Sequence, residues 1–485
     1  MSLARRASRN IAFKAVGEAS RFAWALLLIL VARRLGGESL GRISFAYSFT
    51  SIFVLLADLG LSIIVVREVA RERDLASRYL GNLLSIRLLS APVAFALSAG
   101  AIMLSGYPPE VVTVVLLFVG INLARGMLEL YGAVFSGLEG IGREAVLKNL
   151  HQVSLLVSGV IALAIGSGPT GLAVALLIGS LLVVTIGSGM VRRTLPLFHP
   201  RWDGALWLAL LRRAFPVGMI VLFIVLYNES DIVLLSYLGQ GEREVGWYAA
   251  ASKVMKMLQL LPMLVVSGVY PVFSDLARGP EQEGALSTAY RGTLKLLLLV
   301  AIPVATVVFG FAEPLIRVVY GPGFTPAIAP LRLLACSIPF LYLGYVLVNV
   351  LVSSDQTKLA ALATCSAGVV NITANLLLIP VFGIAGAALA AIAGQVTLVL
   401  IGAVAVERAV TCSRWRQLAS KPVLASAAMF VAIALIGQAS WAVALPAGLT
   451  IYLVVLVLSG ALREEEFMAI RRLWRGSEPS RVLNR

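Results

Sequence analysis

Charged side chains interrupt several long apolar stretches of this sequence, and their types and spacing could support chemistry. The basic residues in such stretches are Arg21, Arg87, Arg125, Lys253, Lys256 and Arg332. The acidic residues are Glu18, Asp58, Glu129, Glu229 and Asp231. An ionisable group in hydrocarbon costs at least ~2.5 kcal/mol, so it is retained where it faces protein or water. These residues are therefore candidates for binding a charged ligand or for moving an ion.

Lys253 and Lys256 are the most informative pair, because residues three apart project from one face of a helix. Two cations on one buried face repel each other unless an anion or water lies between them. Lys256 follows the predicted outer end of its helix by about ten residues, or about 15 Å, which is near the middle of a ~30 Å hydrocarbon core. Arg21 is placed at a similar depth. We predict that Arg21, Lys253, Lys256, Arg87 and Arg125 bind an anionic substrate.

Structural alternatives exist for some of these cations. Arg125 and Glu129 are four residues apart, and Glu18 and Arg21 are three apart, so either pair could neutralise itself as a helix-packing pair. Arg87 lies close enough to a predicted helix end for its side chain to reach the headgroups.

The acidic residues offer a second kind of chemistry. Proton or sodium movement through carboxylates can bias a conformational cycle. Asp58, Asp231, Glu229 and Glu18 are the predicted coupling residues. For Asp231 and Glu229, a structural partner on the predicted helix 8 or helix 1 is the alternative.

Composition excludes several other functions. The three cysteines have no short spacing and there are only two histidines, so we expect no metal site and no cofactor apart from a coupling ion. The net charge of +15 would suggest nucleic acid in a soluble protein. Here the basic residues lie mostly at the ends of apolar runs, where they set membrane orientation. We therefore expect no nucleic-acid partner.

The elements that position these residues are predicted to be membrane-spanning helices. The chain has 485 residues, of which 59% are hydrophobic and 13% charged, against about 25% charged in soluble domains. A spanning helix needs ~20 apolar residues, and the predicted fold is an all-α membrane protein with about fourteen of them. The predicted spans are 11–33, 42–66, 79–104, 109–137, 145–167, 170–191, 214–238, 246–276, 289–312, 327–352, 357–379, 384–406, 420–438 and 440–462.

The positive-inside rule gives the predicted orientation. If the N-terminus is inside, most Lys and Arg residues outside the helices fall in the inside connections and in the tail. Both termini are therefore predicted to be cytoplasmic, in a multi-pass protein of the cytoplasmic (inner) membrane. Glu18 and Arg21 interrupt the first apolar run, so we interpret it as an uncleaved membrane helix.

Glycine spacing indicates an internal repeat. Gly41 matches Gly246, and Gly168, Gly171 and Gly179 match Gly383, Gly386 and Gly394 at a similar offset. Halves with an even number of spans have the same orientation, which is typical of parallel repeats facing a central cavity. We predict two pseudo-symmetric six-helix bundles around such a cavity, and a monomer. The predicted segments are the N-terminal bundle 1–191, a cytoplasmic linker with an amphipathic helix 192–213, the C-terminal bundle 214–406, two further helices 407–462 and an amphipathic tail 463–485. The amphipathic segments are expected to contact membrane lipids.

Several motifs resemble a known family. They are Arg33-Arg34-Leu35-Gly36, Asp58-Leu59-Gly60-Leu61, Asp231-Ile232-Val233-Leu234, Leu238-Gly239 and Val245-Gly246-Trp247-Tyr248-Ala249-Ala250. Their order and spacing over nearly the whole chain resemble the polysaccharide transporter family of the multidrug/oligosaccharidyl-lipid/polysaccharide exporter superfamily. The resemblance implies alternating access through a basic cavity lined by helices 1, 2, 7 and 8, on which Arg21, Asp58, Asp231, Lys253 and Lys256 fall.

The resemblance also implies a function. Such a protein would move a polyprenyl-(pyro)phosphate-linked oligosaccharide from the cytoplasmic to the outer leaflet during polysaccharide or surface glycan biosynthesis. A polysaccharide polymerase and glycosyltransferases are the implied partners. The first alternative is a proton- or sodium-coupled extruder of organic cations, whose cavity should be richer in aromatic and acidic groups. The second is a polytopic glycosyltransferase, but the 192–213 loop carries only Asp203 for acid chemistry, so we expect no enzyme.

Overall fold

The computed structural model describes residues 21–55, 58, 60–195, 200–239, 241–277, 283–409, 415–436 and 441–461. Within these ranges the regular structure is entirely helical. The predicted all-α membrane fold is confirmed. Glu18 and the predicted tail helix of 463–485 lie outside the described residues.

The chain divides into two compact units, and the first is Met1–Ala250. Its helices are α1 (Arg21–Leu55), α2 (Leu61–Arg71), α3 (Ala76–Leu104), α4 (Pro109–Gly137), α5 (Ile141–Ala164), α6 (Pro169–Thr194), α7 (Gly204–Tyr237) and the start of α8 (Glu242–Leu258). Buried apolar side chains such as Phe118, Val134 and Leu172 form its interior, whereas Leu104 and Leu182 are exposed. Apolar residues on both the inside and the outside are expected of a protein whose solvent is lipid.

The second unit is Ala251–Arg485. It contains the rest of α8, followed by α9 (Leu260–Leu276), α10 (Glu283–Gly310), α11 (Ala312–Val319), α12 (Ile328–Ala335), α13 (Ile338–Ser353), α14 (Thr357–Phe382), α15 (Ile384–Ala409), α16 (Trp415–Ile436) and α17 (Trp441–Leu458). Tyr290, Tyr342 and Phe273 are fully buried in it, while Leu377 and Val381 are exposed. The same arrangement of apolar interior and apolar surface therefore holds in this unit.

The helix α1 turns back on itself at Gly36. This glycine has a φ of +82°, in the left-handed region that favours glycine. In a straight helix, Trp24 and Tyr47 would be about 35 Å apart at 1.5 Å per residue. Their ring centroids are only 5.6 Å apart, so the two halves of α1 lie side by side and run in opposite directions. They correspond to the predicted first span and the start of the second.

Among the described residues, fewer helices are long and apolar enough to span a membrane than the fourteen that the sequence predicts. Eleven described helices are long and apolar enough to cross a membrane, and a bent pair, Pro322–Ala335 with Ile338–Ser353, raises this to 12. The predicted first two spans, which lie in α1 and α2, account for the difference. The count of fourteen therefore stays a prediction.

In the described part of the predicted linker, 192–195 and 200–213, no separate surface helix is present. The amphipathic segment around Trp207 is the beginning of the long helix α7, which continues to Tyr237. Leu210 and Ala214 are buried there in a core cluster of the first unit, because an apolar helix face packs on protein where protein is available. By packing, α7 thus belongs to the first unit. The predicted segment boundaries rest on the repeat, and they stay a prediction.

Candidate functional site

Arg87 and Asp58 form a closed ion pair in the first unit. Arg87 donates a hydrogen bond from Nη2 to Asp58 Oδ1, and Ser62 Oγ donates to the same oxygen at 2.7 Å. The side chains are 6% and 16% exposed. A buried charge is tolerated when it is paired and hydrogen-bonded, and both conditions are met here. The predicted roles of Arg87 in substrate binding and of Asp58 in ion coupling stay predictions, but each residue is engaged by the other.

This pair stabilises the break between α1 and α2. Gly60 caps α2 with a φ of +79°, and a Cβ at Gly60 would lie 2.8 Å from the backbone nitrogen of Gly218 in α7. A Cβ at Gly126 in α4 would lie 3.1 Å from Arg87 Nη1. Both positions require a small residue, because side chain or backbone of another helix already occupies the adjacent space. Arg87 of the pair thus packs against α4, while Gly60 packs the break between α1 and α2 against α7.

Arg125 differs from Arg87 in being accessible. It lies in α4, about 24 Å from the Pro109 end and about 18 Å from the Gly137 end, so it is near the middle of the span. Its side chain is 34% exposed. Arg125 Nη1 donates to Tyr47 Oη at 2.9 Å, and the guanidinium carbon lies 5.6 Å from the Tyr47 ring centroid. The sequence leaves open that Arg125 pairs with Glu129. In the structure, Arg125 Nε and Glu129 Oε1 are 3.8 Å apart, which is too long for a hydrogen bond.

The predicted coupling residues Glu229 and Asp231 both lie in α7 and both accept hydrogen bonds within the first unit. Ser48 Oγ donates to Glu229 Oε2 at 2.7 Å, and Tyr248 Oη donates to Asp231 Oδ2 at 2.7 Å. Glu229 also interacts electrostatically with Arg125. Consecutive residues of α1 thus connect α4, through Tyr47, with α7, through Ser48. Tyr248 lies in the predicted helix 8, so Asp231 has the structural partner that the sequence leaves open, whereas Ser48, the partner of Glu229, lies in the predicted second span. A coupling role for both acids stays a prediction.

The remaining predicted cations are less closely defined. Arg21 is the first residue of α1, and its side chain lies outside the described part of the structure. Lys253 and Lys256 are half-buried in the part of α8 that belongs to the second unit, and each interacts with a neighbouring group. α8 ends at Leu258, directly after these lysines. In the same unit, the Arg332 guanidinium carbon lies 6.0 Å from the Phe309 ring.

A seam between α1 and the start of α8 is a feature that the sequence analysis missed. A Cβ at Gly41 would lie 1.8 Å from Glu242 O, and a Cβ at Gly246 would lie 1.9 Å from Gly37 O. The two backbones touch because small residues spaced four apart let helices approach closely. Gly41 and Gly246 are matching positions of the predicted repeat, and in the structure they contact each other across this seam. The Gly37-xxx-Gly41 spacing was the signal that could have revealed it.

Arg42 closes the seam electrostatically. Its Nε donates to Glu242 Oε2 at 2.9 Å and its Nη1 donates to Glu110 Oε2 at 3.0 Å, while Glu38 lies 3.5 Å away. The Arg42 side chain is only 12% exposed. One guanidinium therefore ties α1 to the first residues of α4 and of α8. Glu242 and Glu110 are distant from Arg42 in sequence, so spacing could not predict these pairs. Glu38 is one helical turn away, and only its pairing could be predicted from the sequence.

The segment before α7 is held by polar contacts to α3. Arg78 Nη2 donates to Asp203 Oδ2 at 2.6 Å, and Trp207 Nε1 donates to Asn82 Oδ1 at 2.9 Å. The hydrogen bond from Arg78 holds the pKa of the Asp203 carboxyl below its usual value. Asp203 also caps α7 by accepting from Leu206 N at 3.1 Å. These contacts explain why the linker packs with the first unit.

Solved structures show the class of protein that this fold defines. The lipid II flippase MurJ in its inward closed conformation superposes with a TM-score of 0.76 at 15% identity, covering 92% of this chain and 98% of MurJ. An inward-facing multidrug resistance MATE transporter of the MOP superfamily superposes with a TM-score of 0.65 at 17% identity, covering 86% of this chain and 96% of that one. This chain therefore shares the fold of these two multi-pass membrane proteins.

Sequence comparison gives the family within this class. The model of the polysaccharide biosynthesis protein family matches residues 10–277, which is more than half of the chain, and the MatE model matches residues 216–377. The chain belongs to the polysaccharide biosynthesis protein family. The probable low-salt glycan biosynthesis flippase Agl15 of Haloferax volcanii is 25% identical over 394 residues, covering 80% of each protein. The resemblance drawn from the sequence motifs is confirmed.

Proposed function

We propose that this protein is a flippase that moves a polyprenyl-(pyro)phosphate-linked oligosaccharide from the cytoplasmic to the outer leaflet. It would work by alternating access through a cationic central cavity, without catalysing a covalent reaction. Both termini would be cytoplasmic, and coupling to a proton or sodium ion is part of the proposal. Family membership and the similarity to a probable glycan biosynthesis flippase support it.

The observation that carries the proposal is the accessible arginine in the middle of α4. Arg125 is permanently charged and 34% exposed, although it lies near the centre of an apolar span. Such a position is costly in hydrocarbon, so it indicates contact with a polar cargo or with water. A sugar-phosphate head group is strongly hydrated, and polar side chains along its path can replace its hydration.

The experiment is translocation of a polyprenyl-phosphate-linked glycan by the purified protein in proteoliposomes. We expect the Lys253→Ala/Lys256→Ala variant to lose translocation, because the phosphate would no longer have its paired cations. Lys358→Ala is the matched control, since Lys358 lies at the start of α14 outside the predicted site. The control should transport as the wild type does.

The same assay distinguishes a flippase from an organic-cation extruder. The extruder is the alternative function that the MatE match supports. An extruder would transport a lipophilic cation and leave the glycan lipid in place. An accessible Arg125 repels a cation, so this outcome is not expected. Normal glycan translocation by the double lysine variant would disprove the basic phosphate site.

A further inference from the structure

An aromatic pair and a cation lie together at one depth in the first unit. Trp24 precedes the turn at Gly36 by about as many residues as Tyr47 follows it, so the antiparallel halves of α1 bring the two rings level. The ring centroids are 5.6 Å apart and the planes are inclined by 37°. Tyr47 Oη accepts the hydrogen bond from Arg125, and Glu129 lies one turn of α4 further on.

Two donors of this group have no hydrogen-bond partner among the described residues. They are Trp24 Nε1 and Arg125 Nε, and both atoms are buried. An indole N–H and a guanidinium N–H can only donate. Unlike the oxygen and nitrogen of a side-chain amide, these groups cannot exchange donor and acceptor roles by a 180° flip. Buried polar atoms are nearly always paired in folded proteins. Glu129 Oε1 lies 3.8 Å from Arg125 Nε, which is too long for a hydrogen bond. Among the described residues, both donors beside this pair of rings therefore remain able to bind an added acceptor group.

A buried acceptor lies on the face of α5 that packs on the first half of α1. A Cβ at Gly159 of α5 would lie 2.4 Å from Leu27 Cδ1, so this face of α5 packs against the first half of α1. Gln152 is seven residues, about two turns, before Gly159 and shares its face. Gln152 Oε1 is buried and, among the described residues, has no hydrogen-bond partner either. The unit thus presents unpaired donors and an unpaired acceptor around α1.

The chemistry of the group fits a sugar ring better than an isolated anion or cation. A pyranose has faces of C–H groups that pack on aromatic rings and a rim of hydroxyls that both donate and accept. Glu129, which is 50% exposed, can accept from hydroxyls but would repel a phosphate. Arg125 can donate to hydroxyls but would repel an organic cation. Rings, donors and a carboxylate together match a neutral polyol.

We propose that Trp24, Tyr47, Arg125 and Glu129 form a subsite for one pyranose ring of the transported glycan. This inference rests on the proposed function, because it assigns the sugar part of the same cargo. The phosphate would be bound elsewhere, by the predicted lysines of α8. The subsite would make the protein select lipids that already carry a sugar over the sugar-free carrier.

The test compares two probes, polyprenyl phosphate and the same lipid carrying one glucose. Their dissociation constants are measured by native mass spectrometry on the purified full-length protein. We expect the wild type to prefer the glucosylated lipid by about tenfold, the effect of about 1.4 kcal/mol of added contacts. Trp24→Leu and Glu129→Gln should each reduce this preference to within about twofold, with little change in affinity for the sugar-free lipid.

Trp202→Leu is the matched control, because Trp202 is 67% exposed and lies outside the subsite. It should keep the wild-type preference. Glu129→Gln changes an exposed side chain, so it tests the subsite even if Trp24→Leu does not fold. No preference in the wild type, or full preference in Glu129→Gln, would overturn the subsite while the flippase function stands. Binding of neither lipid by the wild type would instead contradict the proposed function.

Discussion

Two arginines in neighbouring spans show how much the surroundings of a residue determine its role. Arg87 is 6% exposed and paired with Asp58, whereas Arg125 is 34% exposed and bonded to a tyrosine hydroxyl. From the sequence, both are predicted to bind the substrate, although Arg125 has Glu129 four residues away and Arg87 has no acid so close in its helix. The first is built into the packing of the unit, and the second remains available to a ligand.

The buried pair leads to a prediction about stability. We expect Arg87→Met to lower the free energy of unfolding by about 3–5 kcal/mol, because it leaves Asp58 as an uncompensated buried charge. Adding Asp58→Asn should restore most of this loss. Unfolding of the purified protein by denaturant measures both effects.

Arg317→Met is the control for this measurement, since Arg317 is 56% exposed and, within the described part of the chain, forms its ion pair with Glu313 one turn away. Exposed pairs of this kind contribute about 0–1 kcal/mol. Equal unfolding curves for Arg87→Met and for the control would show that the Arg87–Asp58 pair is not structural.

At the scale of helices, glycines decide where elements touch. The seam between α1 and α8 has room for backbone only at Gly41 and Gly246, and Arg42 binds Glu242 and Glu110 beside it. A seam held by van der Waals contact and one shared guanidinium can separate without unfolding either helix.

Gly41→Ala should open this seam, because the added methyl would meet Glu242 O at 1.8 Å. Val245, which is 1% exposed, reports on the opening when it is replaced by cysteine in a variant lacking Cys336, Cys365 and Cys412. We expect Gly41→Ala to raise the rate at which a polar maleimide labels this cysteine by about tenfold. This factor corresponds to a loss of ~1.4 kcal/mol in the free energy that keeps the seam closed.

Gly100→Ala in α3 is the matched control, since a Cβ at that position meets nothing within 4 Å. It should leave the labelling rate unchanged. If Gly41→Ala also labels at the original rate, the two helices are not held together at this seam.

At the scale of the whole molecule, the question is how transport is driven. Glu229 and Asp231 of α7 are held by hydroxyl donors, Ser48 of α1 and Tyr248 of α8. A carboxylate that gains or loses a proton changes its need for such a donor. Protonation could therefore change the contacts of α7 with the helices that accompany it.

We expect Asp231→Asn and Glu229→Gln to weaken the dependence of glycan flux on an imposed proton or sodium gradient, because an amide cannot exchange charge with the ion. Flux in proteoliposomes is compared with and without the gradient. Glu313→Gln, which changes an exposed carboxylate in α11, should keep the full dependence. Unchanged gradient dependence in both test variants would remove these carboxylates from the coupling mechanism.

Much of the architecture follows from sequence because the bilayer imposes it. Apolar length predicts the helices from α3 to α6 within a few residues, and Gly36 marks the turn in α1. Family membership followed from short motifs in order. The intramembrane charges could also be identified in advance, since each is conspicuous in an apolar run.

Tertiary structure alone decided the partners of those charges. Arg87 meets a carboxylate 29 residues away and Arg125 meets a hydroxyl 78 residues away. A helix that is apolar on all sides carries no period to tell which side faces a neighbour, so its rotation is set by packing. For the same reason the aromatic pair, the glycine seam and the attachment of the linker emerged only when the helices were assembled.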